Sequence, residues 1–182
     1  LTPASGSYVG EETVAAAANL AMITGNVGKA GSGILPLSEY NNVQGVMDMG
    51  AVPDSLPGYR PLEEKTPGLD AMQMMSAAAA GDLKGLYIMG ENPLTAFPDR
   101  GLVKQALEKL EFLVVQDIFL TESAEMADVV LPATAGPEKN GTFTNTDRRV
   151  QRVRKAIEPP AKTRADWKIL CELFGAFGSP LP

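Results

Sequence analysis

Gly85-Leu-Tyr-Ile-Met-Gly90 and Phe112-Leu-Val-Val-Gln-Asp117 are the stretches that decide the fold. Each is a short apolar run bounded by turn residues, the pattern of a strand buried within a sheet. Between them Asp99 reads as a helix N-cap, and Leu102, Val103, Ala106, Leu107 and Leu110 recur at helical spacing. Strand, helix and strand in that order form a crossover unit whose strands run parallel with a right-handed connection. After a short helix around Glu122 to Met126, Asp128-Val-Val-Leu-Pro132 supplies a third strand. The expected fold class is α/β: a three-layer αβα arrangement built on a doubly wound, mostly parallel sheet.

Working outward, Glu11 and Glu12 precede Val14, Ala17, Ala18, Ala21 and Met22, an apolar helical spacing with acids in the first turn, where the helix dipole favours them. That helix should stop near Gly25. A second helix is expected from Asp70 to Ala80, ended by Gly81. A last one runs from about Arg164 to Phe174 and places Trp167, Leu170, Cys171 and Phe174 on one face. Residues 25–60 are rich in Gly, Pro and Asn and show no sustained period, so a long irregular excursion is expected there, of the kind that is usually functional. The whole of 1–182 reads as one α/β domain, with 84–182 as its ligand-binding core. The start at Leu1 rather than Met suggests a segment of a longer protein.

Composition narrows the function classes. A net charge of -6 is opposite in sign to that of a general nucleic-acid binder. The run Arg148 to Lys155, with Arg148, Arg149, Arg152, Arg154 and Lys155, is then read as a solvated or partner-facing surface. With no histidine and the single Cys171, the chain carries neither an internal disulfide nor a metal-ligand cluster of its own. The longest apolar stretch, Val14 to Ile23, is too short to span a bilayer. A cytoplasmic protein is expected, membrane-associated only through partner subunits.

Open parallel sheets bind ligands at the carboxyl ends of their strands, where crossover loops converge and leave backbone N–H groups unpaired. Two loops fall at that edge. In Met89-Gly90-Glu91-Asn92-Pro93, Gly90 permits close backbone approach and Asn92 offers both a donor and an acceptor, although Asn92-Pro93 is also an ordinary turn. Gln116-Asp117 ends an apolar strand in polar residues. Asp117 either caps the next helix or accepts hydrogen bonds from a ribose or a purine N–H pair. Lys139 sits in the turn Pro137-Glu-Lys-Asn-Gly141, and Asp166, three residues after Thr163, resembles the second half of a capping box. No phosphate-loop pattern is present, and no Gly-x-Gly-x-x-Gly follows a predicted strand, which disfavours a simple nicotinamide-binding domain. No residue is assigned a catalytic or metal-ligating role.

Several stretches, in order, resemble the molybdopterin oxidoreductase family. They are Asn19 to Lys29, Asn41-Asn-Val-Gln-Gly45 with Asp48-Met-Gly50 and Pro57-Gly-Tyr59, Gly85 to Pro93, Val114 to Asp117, Ala127 to Pro132, Glu138 to Arg149, and Asp166 to Leu170. The likeness is to formate dehydrogenase alpha subunits and to the related subunit of respiratory NADH-quinone oxidoreductase. It implies a domain gripping a molybdopterin guanine dinucleotide that carries molybdenum or tungsten. It also implies iron-sulfur clusters upstream of this stretch, and as partners the remaining domains of a parent subunit and other subunits of a redox or respiratory complex. Position by position it implies cofactor contacts from Asn92, Gln116, Asp117, Lys139 and Asp166, with Gly90 and Glu91 in the same loop as Asn92. A carboxylate there would receive the guanine N1–H and amino protons, and Lys139 would neutralise phosphate. One departure stands out. Where the family's formate dehydrogenases carry Arg-Gly-Gln, this chain has Ser38-Glu39-Tyr40, which removes a bidentate donor and adds a charge that repels formate. The expected function is a guanine-dinucleotide-binding segment of an oxidoreductase, inactive alone; the competing expectation is a cofactor-free scaffold domain of a respiratory complex.

Overall fold

A computed structural model describes residues 10–35, 37, 40–63, 67–160 and 162–179. Ser38 and Glu39 of the departure noted above lie outside these residues. The chain forms two compact units, one from residues 1–67 with Gly141–Val153, the other from Gly68–Asn140 with residues 154–182.

In the first unit, helix α1 (Gly10–Ile23) ends as expected at Gly25, whose φ of 65° is left-handed. The excursion beyond it is less irregular than its composition suggests. It contains the short helix α2 (Val43–Asp48) and a two-residue antiparallel ladder between β1 (Ser55–Leu56) and β2 (Arg60–Pro61). Gly50 is needed between α2 and β1: its φ is 74°, and a Cβ there would lie 2.5 Å from the Pro57 nitrogen.

The second unit opens with α3 (Ala71–Ala80). The Asp70 carboxylate accepts from the Gln73 N–H while the Gln73 side chain accepts from the Asp70 N–H, and Gly81 at φ 92° closes the helix. Strand β3 (Gly85–Met89), the single-turn α4 (Pro93–Ala96), helix α5 (Arg100–Lys109) and strand β4 (Phe112–Asp117) come next. Asp99 caps α5 by accepting from the Leu102 N–H at 2.9 Å. Beyond α6 (Glu122–Glu125) comes β5 (Val129–Pro132). The strands form a parallel sheet in the order β3-β4-β5, with Met89 opposite Gln116 and Asp117 opposite Pro132.

Alternation along the strands sorts the side chains. Ile88, Leu113 and Val115 are buried with Met75, Ala78 and Ala79 of α3 and Val103, Ala106 and Leu107 of α5 in one core. Ala78 and Ala106 are fully buried, and such small residues allow close packing of elements.

Gly141–Thr144 and Val150–Val153, strands β6 and β7, then pair as an antiparallel hairpin in the first unit. The turn expected around Gly141 and the basic run after Arg148 thus each yield a strand. Asn42 explains the placement, because its Oδ1 accepts from the Thr144 N–H at 2.8 Å. The basic run is largely surface: Arg149 pairs with Asp147 and Lys155 with Glu158.

The second unit resumes with the Arg164 segment, which lies beside Ala133 in a parallel bridge. It ends with α7 (Asp166–Ala176). Helix α7 turns a different face inward from the one expected. Ile169 is buried whereas Trp167 is 55% exposed, because the helix is anchored through Asp166 and so presents the positions three and four residues on. The Asp166 head of α7 reaches Gln116, on the face of β4 opposite Leu113 and Val115. The parallel α/β arrangement is as the sequence implied.

Candidate functional site

The carboxyl edge of the parallel sheet forms a cavity of about 340 Å³, at the lower end of the range typical of small-molecule sites. Met89 and Gly90 come from the end of β3, Gln116, Asp117 and Ile118 from the end of β4, and Ala133 to Gly136 from the segment after β5. Lys139 and Asp166 close the rim. Parallel pairing is what collects them, since it ends every strand at the same edge.

Gln116 is the central surprise. It is a polar residue in a strand, yet fully buried, so its amide must find partners inside the protein. Its Oε1 accepts from the Tyr87 hydroxyl, and its Nε2 donates to Asp166 Oδ1 at 2.8 Å. Asp166 Oδ2 accepts from Lys139 Nζ, which also donates to the Thr134 carbonyl at 3.1 Å. Tyr87, Gln116, Asp166 and Lys139 thus form one continuous chain of hydrogen bonds ending in an ion pair.

Asp117 behaves differently. Its Oδ1 accepts from the N–H groups of Ile118 at 2.6 Å and Phe119 at 3.3 Å, a local turn that fixes the side chain. Among the described residues its Oδ2 has no hydrogen-bond partner. The expected capping box at Thr163 and Asp166 does not form. Ala165 is the N-cap of α7, Thr163 donates to the Pro160 carbonyl instead, and Asp166 spends its carboxylate on Lys139 and Gln116.

Of the sequence-predicted residues, Gly90, Gln116, Asp117, Lys139 and Asp166 line this one cavity; Glu91 and Asn92 do not. Asn92 Oδ1 accepts from the Ser123 hydroxyl at 2.6 Å and from the Ser123 N–H at 3.3 Å, which ties the end of β3 to α6. Glu91 turns back to accept from the Asn92 N–H at 3.0 Å.

Two residues escaped sequence reasoning. Tyr87 has a polar head within an apolar strand, and that was its only signal. Thr134 comes directly after Leu131-Pro-Ala, at the same edge as Asp117, so its position just past a strand end was the available clue. It is 2% exposed, and its Oγ1 has no hydrogen-bond partner among the described residues.

The Tyr87 phenol is pushed above its ordinary value of 10.0, by burial first and by the Asp166 carboxylate second. Because the folded value is the higher, the stabilisation it reports is complete below pH 10 and is lost as pH rises through the raised value. Tyr87→Phe should therefore show a shallower alkaline decline in stability than the parent, measured by urea unfolding between pH 8 and pH 11. Identical declines would remove Tyr87 from that linkage.

Among the described residues no group of three or more His, Cys, Asp or Glu side chains could hold a metal ion, and no helix is long and apolar enough to cross a membrane. The donor set does suit an organic ligand bearing N–H groups. Asp117, Asp166 and Lys139 together carry a net charge of -1, Lys139 is committed to Asp166, and the buried Thr134 hydroxyl is unmatched.

Comparison with known proteins gives a consistent result. A family profile described as molybdopterin oxidoreductase matches residues 4–176. The F420-dependent formate dehydrogenase subunit alpha of Methanocaldococcus jannaschii is 50% identical over an alignment covering 93% of this chain and 27% of that protein. Formate dehydrogenase H of Escherichia coli is 40% identical, over 96% of this chain and 27% of that protein. The chain therefore spans about a quarter of the length of these relatives. Acetylene hydratase from Pelobacter acetylenicus shares the fold, with a TM-score of 0.55 at 18% identity over 68% of this chain and 17% of that one.

Proposed function

The chain belongs to the molybdopterin oxidoreductase family, and on that premise we propose that it holds the guanine end of a molybdopterin guanine dinucleotide within a longer, formate dehydrogenase-like oxidoreductase subunit. The observation that carries this reading is the polar cavity at the carboxyl edge of β3, β4 and β5, with an unpartnered carboxylate oxygen on Asp117. Guanine presents adjacent N1–H and amino donors, and a carboxylate is their natural acceptor. The surplus negative charge of the rim suits that base edge better than it suits a diphosphate.

Each residue then has a distinct part. Asp117 is the acceptor for the base, held rigid by the Ile118 and Phe119 N–H groups. Gln116 and Asp166 form the fixed wall, and Lys139 holds the Asp166 carboxylate in place. Gly90, with φ of 66°, lets the ligand approach the backbone. Asn92 supports the site from behind through Ser123. When bound, the pterin with its molybdenum or tungsten supplies the redox chemistry; this chain's residues supply binding and orientation, and alone it has no turnover. Iron-sulfur clusters, partner subunits and a cytoplasmic setting belong to the same proposal for the longer protein.

The test is the guanine nucleotide retained by the intact polypeptide that carries this chain, read as GMP released on acid hydrolysis, with molybdenum and tungsten measured alongside. Asp117→Asn keeps the local turn but removes the charge, and should lower retained GMP about tenfold, the scale of a lost charged hydrogen bond. Arg154→Ala, at an exposed position away from the cavity, should leave it unchanged. Equal retention in both variants sinks the site assignment. Absence of GMP from the unsubstituted protein, with its electron transfer intact, favours a cofactor-free scaffold instead.

A further inference from the structure

A buried hydroxyl without a partner is rare, because leaving it unpaired forfeits the hydrogen bonds it makes with water in the unfolded chain. Thr134 is such a case. Its backbone is fully engaged: the N–H donates to the Arg164 carbonyl at 3.1 Å, and the carbonyl accepts from Lys139 Nζ at 3.1 Å. Only Oγ1 remains, in a residue 2% exposed that lines the same cavity as Asp117 and Lys139. The two backbone bonds also prevent the segment from turning to satisfy the hydroxyl elsewhere.

We propose that the Thr134 hydroxyl is a direct hydrogen-bonding contact to the purine nucleotide held in this cavity. This rests on the guanine-site reading above and adds a residue that neither the sequence patterns nor the family resemblance assigned. The chemistry is complementary. Asp117 and Asp166 can only accept, and Lys139 is committed to Asp166 and the Thr134 carbonyl. The Gln116 amide is already bonded to Tyr87 and Asp166, whereas the threonine hydroxyl is neutral, unpartnered and able to donate or accept, as a base carrying both N–H donors and a carbonyl acceptor requires.

The experiment measures GDP binding to the cofactor-free intact polypeptide by calorimetry, together with thermal melting without ligand. Thr134→Val keeps the branched shape and removes the hydroxyl; Thr134→Ser keeps the hydroxyl. Thr134→Val should bind GDP about tenfold more weakly than the parent, the scale of one lost hydrogen bond. Its melting temperature should equal or exceed the parent's, since an unsatisfied group has gone. Thr134→Ser should bind within about twofold of the parent, on the same scale. Weaker binding with undiminished stability is a combination that a purely structural threonine does not produce. If the valine side chain prevents folding, Thr134→Ala carries the same expected loss of affinity. GDP binding equal in parent, Thr134→Val and Thr134→Ala overturns the Thr134 contact while leaving the guanine site standing. No GDP binding by the parent overturns the guanine-site reading, and this proposal with it.

Discussion

Asp166→Ala is expected to unfold at markedly lower urea concentration than the parent, with a loss of about 2–4 kcal/mol. Two consequences add. The Gln116 amide, fully buried, loses the acceptor for its Nε2, and an unsatisfied buried donor costs roughly 1–3 kcal/mol. Lys139, whose side chain is 29% exposed, is left with its cation facing a partly dry cavity and only the Thr134 carbonyl as partner. The pair is sheltered enough to escape the near-zero value of a surface ion pair, yet open enough that a deep-interior value would overstate it. Lys139→Met removes the other side of the pair, and a double-mutant cycle with Asp166→Ala should give a coupling of about 1–2 kcal/mol. Additive effects would mean that the two side chains do not act together. Since the same carboxylate fixes the wall of the cavity, Asp166→Ala should also abolish GMP retention in the intact polypeptide. A fully loaded Asp166→Ala protein would remove this residue from the site.

Leu113→Ala should cost about 3 kcal/mol, measured by urea or thermal unfolding. Leu113 is 2% exposed and packs within the core shared by the sheet, α3 and α5, so truncation leaves a cavity bounded by a well-packed shell. The neighbouring Phe112→Ala is the internal control. Phe112 is 51% exposed, and its truncation should cost less than about 1 kcal/mol despite removing a larger side chain. The contrast tests the phase of β4, because a register shifted by one residue would exchange the two results. That phase matters beyond stability. It sends Leu113 and Val115 into the core and Gln116 to the opposite face, where Asp166 meets it.

Helix ends were legible because they rest on neighbours a few residues away. Asp70 with Gln73, Gly81 and Asp99 each satisfy backbone groups locally, so their meaning survives in the chain alone. The apolar runs of β3, β4 and β5, with a helix between the first two, left little choice but a parallel sheet, and with it a carboxyl edge at Gly90 and Gln116-Asp117. The hairpin of β6 and β7 was not legible. Its anchor is the Asn42 side chain, 102 residues from Thr144, and its residues include the turn and basic signals of a loop. The inward face of α7 was hidden for the same reason, since a bond spanning 50 residues between Gln116 and Asp166 sets it.

The order of elements, their caps and the edge at which polar residues gather were thus decided by the amino-acid sequence, through short-range hydrogen bonding and the burial of alternate side chains. Which of those polar residues became partners of one another, and which kept an unused hydrogen-bonding atom, was decided only by tertiary structure. Asp166 looked like a helix cap and became half of an ion pair; Asn92 became a partner of Ser123; Thr134, whose only clue was its place just past a strand end, holds the one buried side-chain atom left unsatisfied among the described residues. Hydrogen-bond satisfaction is a property of all the groups that meet at a point in space, and residues distant in the chain meet there only once the sheet has formed.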